Sequence, residues 1–149
     1  MRAVFDTNVV LSGAGWRNES YRCLVAAAHR QAVVFTTRRL LDELVSQARR
    51  IQARGEFPRD PWPVLNWWVA KTKSVEPSTV GKQRSRDPKD DEVLGCALAA
   101  RADFIVTRDP DLLVLGKPFG ISIVTPRQFL QVLVQRRSPL AGRDFGRGS

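Results

Sequence analysis

Residues 85–113, SRDPKDDEVLGCALAARADFIVTRDPDLL, limit the possible folds of this chain more than any other stretch. The segment reads as an acidic turn, a helix, a short strand and a second acidic turn. Asp87, Asp90 and Asp91 precede the helix, and Val93, Leu94, Ala97 and Leu98 give it an apolar face at helical spacing. Phe104, Ile105 and Val106 make a short apolar strand. Thr107, Arg108, Asp109, Pro110 and Asp111 follow at its C-terminal end. Open α/β sheets bind ligands outside the carboxyl ends of their strands, so Asp109 stands where a site belongs. Asp91, at the N-terminus of the preceding helix, is placed to face it across the top of the sheet.

The start of the chain supplies a matching piece. A β-prone run ends at Val4 and Phe5 and is followed by Asp6, Thr7 and Asn8. Asp6 therefore also sits at a strand end, although aspartate is equally a favoured helix cap. Asp6, Asp91 and Asp109 are distant in sequence, but a parallel sheet can bring them together. Three ionised carboxylates in one place repel one another, and either protons or a cation must relieve them. Hard divalent ions such as Mg2+ or Mn2+ prefer oxygen ligands, which makes the set a candidate metal site. Such an ion acidifies bound water and offsets charge on a phosphate during in-line displacement.

These pieces resemble a PIN domain, the fold of many metal-dependent ribonucleases and of VapC-type toxins. The matching stretches are VFDTNV at residues 4–9, LLDELV around Glu43, DDEVLGCALAARAD and FIVTRDPDLL, with 18 residues from Asp91 to Asp109. The resemblance covers about residues 1–136 and implies a three-layer α/β/α domain with a central, mostly parallel sheet of about five strands. It also implies an endoribonuclease in which Asp6, Asp91 and Asp109 hold one or two Mg2+ or Mn2+ ions, with Glu43 ligating directly or through water. Spacing alone leaves Glu43 equally readable as a solvated glutamate, with Asp42 as the neighbour to be told apart from it. Asn8 and Thr107 would orient ligands or water. Asp90 and Asp111 are further carboxylates that stay open as inner ligands. Small stand-alone PIN proteins with this order of residues are toxin components, so the resemblance further implies an antitoxin protein as partner and a homodimer.

The rest of the chain fits one α/β domain. Residues 2–5 form a strand that nothing polar interrupts, and Ser12 to Gly15 are expected to break the helix after it. A helix from about residue 20 to 30 precedes a strand at 31–36 with Val33, Val34 and Phe35 buried. A long helix to about residue 53 carries Leu40, Leu41, Leu44, Val45 and Ala48 on one face. A short helix at 64–72 packs Leu65, Trp68 and Val69, followed by a weak edge strand at 73–75. The last strand is 121–124, and Pro126 opens a final helix. Residues 137–149 read as a basic, disordered tail. Cys23 and Cys96 lie in apolar helical settings and read as buried free thiols. The sole histidine, His29, reads as a surface residue.

Charge points to the partner. Lys plus Arg is 24 against 15 for Asp plus Glu, a net charge of +9, and such a chain is drawn to polyanions. Arg38 and Arg39 lie on a basic helix face, Arg86 in the loop before the first acidic turn and Arg108 inside the second. These are the candidate RNA contacts, with a merely solvated face as the alternative. The chain shows no apolar run long enough to span a bilayer and no signal-peptide layout, so a cytoplasmic setting is expected. Two other functions stay open. One is a non-catalytic RNA-binding module of the same fold. The other is a phosphatase using Asp6 as nucleophile, although that chemistry wants an acid two residues on, where this chain has Asn8.

Overall fold

The computed structural model describes residues 1–81 and 88–137. Arg86, Asp87 and the C-terminal tail from residue 138 lie outside the described residues. The chain runs β1 (Arg2–Phe5), α1 (Thr7–Gly15), α2 (Glu19–Ala28), β2 (Val33–Thr36), α3 (Arg38–Ala53), α4 (Trp62–Lys71) and β3 (Lys73–Ser74). It continues through α5 (Pro88–Ala100), β4 (Phe104–Val106), α6 (Pro110–Leu113), β5 (Ser122–Val124) and α7 (Pro126–Arg137). The five strands form one sheet in the order β3-β2-β1-β4-β5, and every pairing is parallel. The expected three-layer α/β/α architecture is therefore the one observed, with a sheet that is wholly parallel.

Strand alternation divides the core between the two faces of the sheet. Ala3 and Phe5 of β1 join Val34, Phe104 and Val106 in a cluster with α1, α2, α3, α4 and α7. Val4, Phe35, Ile105 and Ile123 enter a second cluster with Val93, Leu94, Ala97 and Leu112 of α5 and α6. Continuous apolar strands such as AVF and FIV are what a sheet covered on both faces requires. Trp68, 2% exposed, stacks on Phe5 with centroids 5.3 Å apart, and Phe129 meets the same ring edge-on at 5.6 Å.

Three local expectations change. Ser12 to Gly15 do not break α1, which runs on through Gly15. Glycine weakens a helix, but here tertiary contact outweighs propensity. A Cβ on Gly13 would lie 2.6 Å from Leu24 Cδ1, and one on Gly15 2.5 Å from Phe57 Cδ1. These positions let α2 and Phe57 close on the helix. Val33 and Val69, expected in the core, are 40% and 41% exposed: Val33 opens β2 ahead of its buried residues, and α4 turns Leu65 and Trp68 inward instead of Val69. Cys23 and Cys96 are buried free thiols as expected, with burial pushing both up to about 12.

Among the described residues, no helix is long and apolar enough to cross a membrane.

Candidate metal centre

The strand order places a topological switch point at β1. The chain leaves β1 toward β2 on one side and later returns to β4 on the other. Crevices at such points, beyond the strand C-termini, are the usual ligand sites of parallel sheets. Asp6 follows β1 directly, and its backbone N–H continues the ladder to Val106 O at 2.9 Å. Asp109 lies three residues past the end of β4, so the pairing of the two central strands brings these carboxylates together.

The local sequence fixes them there. Asp6 Oδ1 accepts from Thr7 N at 2.8 Å, which caps α1, and Asp6 Oδ2 accepts from the Thr107 hydroxyl at 2.7 Å. The capping and site readings of Asp6 are thus both satisfied, one oxygen each. Thr107 is fully buried, and its Oγ1 also accepts from Asp109 N at 3.0 Å. One hydroxyl therefore ties the two strand ends. Asp109 Oδ1 accepts from Asp111 N at 2.9 Å, and Asn8 Oδ1 accepts from Arg108 N at 3.3 Å. Asn8, Thr107 and Asp111 accordingly orient the chain around the carboxylates.

The third member comes from the first turn of α5. Carboxylate oxygens of Asp6, Asp90 and Asp109 lie within 4.8 Å of one another. The expectation placed Asp91 in this set and kept Asp90 in reserve. In the structure Asp90 is 4% exposed and converges with the other two, whereas half-buried Asp91 lines a neighbouring cleft of about 460 Å3 with Glu43, Arg39 and Glu92. Consecutive helical residues diverge by about 100°, so one points over the sheet and the next into the cleft. Glu43 is half-buried, accepts from Gln47 Nε2 at 3.0 Å, and is near enough to Asp6 to help raise its pKa. Asp42 is exposed and pairs with Arg38 at 3.8 Å, which separates it from the site. Residues 77–80 form the far wall of the cleft, held where Ser78 N donates to Gly95 O at 2.9 Å.

The candidate RNA-contacting arginines differ in setting. Exposed Arg39 is 3.6 Å from Glu92, and Arg38 has its partner in Asp42. Arg108 instead donates from its guanidinium to Ser12 Oγ at 2.7 Å, a neutral anchor that leaves its charge intact. Sequence reading missed this clamp, since nothing at Ser12 signals it.

Burial, first, pushes the Asp6 carboxyl above its ordinary value, and Asp109 and Glu43 push in the same direction; the bonds from Thr107 and Thr7 oppose them. An all-oxygen donor set with a desolvated carboxylate fits a hard divalent ion, which would offset that repulsion. The sign of the pH effect follows. With a raised folded pKa, Asp6 holds its proton in the native state above the 3.8 of an ordinary aspartate. Native stability therefore falls as pH rises from there through the raised value, and the loss persists above it. In metal-free protein, urea unfolding should show the parent losing stability relative to Asp6→Asn across that rise. Mg2+ at neutral pH should restore the parent and leave the variant unmoved. A difference between the two that stays flat with pH would contradict the assignment.

A doubly wound parallel sheet with carboxylates gathered at its switch point defines a class of α/β protein whose site could hold a hard cation. Residues 2–111 match the family described as PIN domain, and the chain belongs to that family. No curated protein and no solved structure matches the chain. PIN domains are generally divalent-metal-dependent nucleases, and the acidic triad accords with that activity.

Proposed function

We propose that the protein is a Mg2+- or Mn2+-dependent endoribonuclease that acts in the cytoplasm as the toxin of a toxin–antitoxin pair, held in check by an antitoxin protein. The observation that carries the nuclease reading is the convergence of Asp6, Asp90 and Asp109 within 4.8 Å, with Arg108, anchored on Ser12 and without a carboxylate partner among the described residues, next to Asp109 in the chain. When bound, the ion supplies Lewis acidity toward a phosphate oxygen and acidifies water. The chain's own residues do the rest. Asp6, Asp90 and Asp109 would hold the cation, with Glu43 and Asp91 lining the neighbouring cleft. Thr107 ties the Asp6 carboxylate to the Asp109 backbone. Arg108 meets a phosphate of the bound strand, and the basic surface of a chain of net charge +9 gathers RNA. The toxin role and a homodimer are supported by the order of acidic motifs alone.

Incubation with a labelled structured RNA pool tests the activity. Cutting is expected with Mg2+ or Mn2+ and should vanish with EDTA. Binding that is unaccompanied by cutting in all three conditions would instead favour an RNA-binding module.

A further inference from the structure

Arg108 and Trp16 flank a cleft that the metal centre does not use. Trp16 is 40% exposed, in contrast to the other tryptophans. Trp68 is core, Trp67 packs beside it at 6.3 Å, and Trp62 donates its indole N–H to Gln52 at 2.9 Å. Trp16 leans on Phe57, with centroids 5.9 Å apart, and Phe57 in turn lies over Gly15, where any side chain would collide with it. The indole is thus propped from behind while its other surface meets solvent.

The cleft in front measures about 440 Å3 and is lined by Asn8, Ser12, Trp16, Asn18 and Arg108. That volume falls within the range of small-ligand sites, about 300–1,000 Å3. Its polar groups are preset. Ser12 Oγ accepts from both Asn18 Nδ2 at 2.8 Å and Arg108 at 2.7 Å, so the guanidinium is held without a carboxylate partner among the described residues. Asn8 spends its oxygen on Arg108 N and donates its amide N–H groups to none of the described residues. The cleft adjoins the metal centre through the chain itself: Asn8 is two residues from Asp6, and Arg108 precedes Asp109.

An aromatic face, a fixed cation and a free amide donor beside a phosphate-cutting centre match one ligand chemistry. From this juxtaposition we infer that the Trp16–Arg108 cleft is a nucleotide subsite: one unpaired base of the substrate strand stacks on Trp16 while its phosphate meets Arg108. A base in such a cleft has left any helix, so the strand there is single-stranded. The inference rests on the nuclease reading for the identity of the strand.

The test is fluorescence anisotropy in EDTA. The probes are a short fluorescein-labelled single-stranded RNA of mixed sequence and a fully abasic strand of the same length. The parent should prefer the RNA with bases by about tenfold or more, the size of one stacking contact. Trp16→Leu, which keeps an apolar contact with Phe57, should lose that preference. Arg108→Gln should weaken both probes alike and flatten the salt dependence. Trp16→Phe guards against misfolding. RNA should quench tryptophan emission in the parent, and that component should be missing in Trp16→Phe. A base preference kept in Trp16→Leu, or quenching unchanged in Trp16→Phe, overturns the subsite. Because binding is read without metal, loss of preference supports the subsite even if the parent never cuts. Retained preference sinks it even if the parent cuts well.

Discussion

Asp6→Asn is expected to abolish metal-dependent RNA cleavage while leaving RNA binding close to that of the parent. The substitution keeps size and shape but removes the charge that would hold the ion. It also disturbs the bond from Thr107 at 2.7 Å, because an amide nitrogen in place of Oδ2 is itself a donor. Changing a group that only supports a metal ligand typically costs about 10- to 100-fold, and loss of a ligand at the centre should cost about 1,000-fold or more. Binding should survive because the arginines proposed to meet phosphate are untouched. Initial cleavage rates in Mg2+, set beside anisotropy in EDTA, separate the two effects. Cleavage within tenfold of the parent's would remove Asp6 from the reaction.

The second large effect distinguishes neighbours. Asp90→Asn should lose cleavage as completely as Asp6→Asn and should also lose the stabilisation conferred by Mg2+. Asp91→Asn should retain both, with a loss of about tenfold or less, the lower end expected for a supporting group. Asp90 is buried against Asp6 and Asp109, whereas Asp91 faces the cleft that Glu43 lines. Parallel measurement of rate and of Mg2+-dependent melting temperature in both variants decides the matter. The reverse outcome, with Asp91→Asn inactive and Asp90→Asn active, would mean that the ion sits toward Glu43.

What the sequence discloses depends on how many degrees of freedom stand between a residue and its place. Asp6 and Asp109 were legible because a strand end admits one location, beyond the sheet, once the strands are parallel. The buried runs at residues 3–5 and 104–106 were legible for the same reason. The choice between Asp90 and Asp91 was not, because it depends on the rotation of α5 about its axis. That rotation is set by burial of Val93, Leu94 and Ala97 against the sheet. The continuation of α1 through Gly13 and Gly15 was hidden because the partners that require those glycines, Leu24 and Phe57, are remote in sequence. The clamp of Arg108 on Ser12, separated by 96 residues, has no local signature at all.

The pairing of β1 with β4 also sets when the acidic set can assemble. Thr107 and Asp6, joined by their hydrogen bond, are 101 residues apart in the chain. A ribosome making this domain releases Asp6 well before Asp109, which emerges only after most of the domain has followed. Until then the growing chain carries Asp6 and Asp90 without the third carboxylate of the set, and a product terminated early never gains it. Divided among the end of the first strand, α5 and the end of the fourth strand, the acidic set is complete only once synthesis of the domain has passed Asp109.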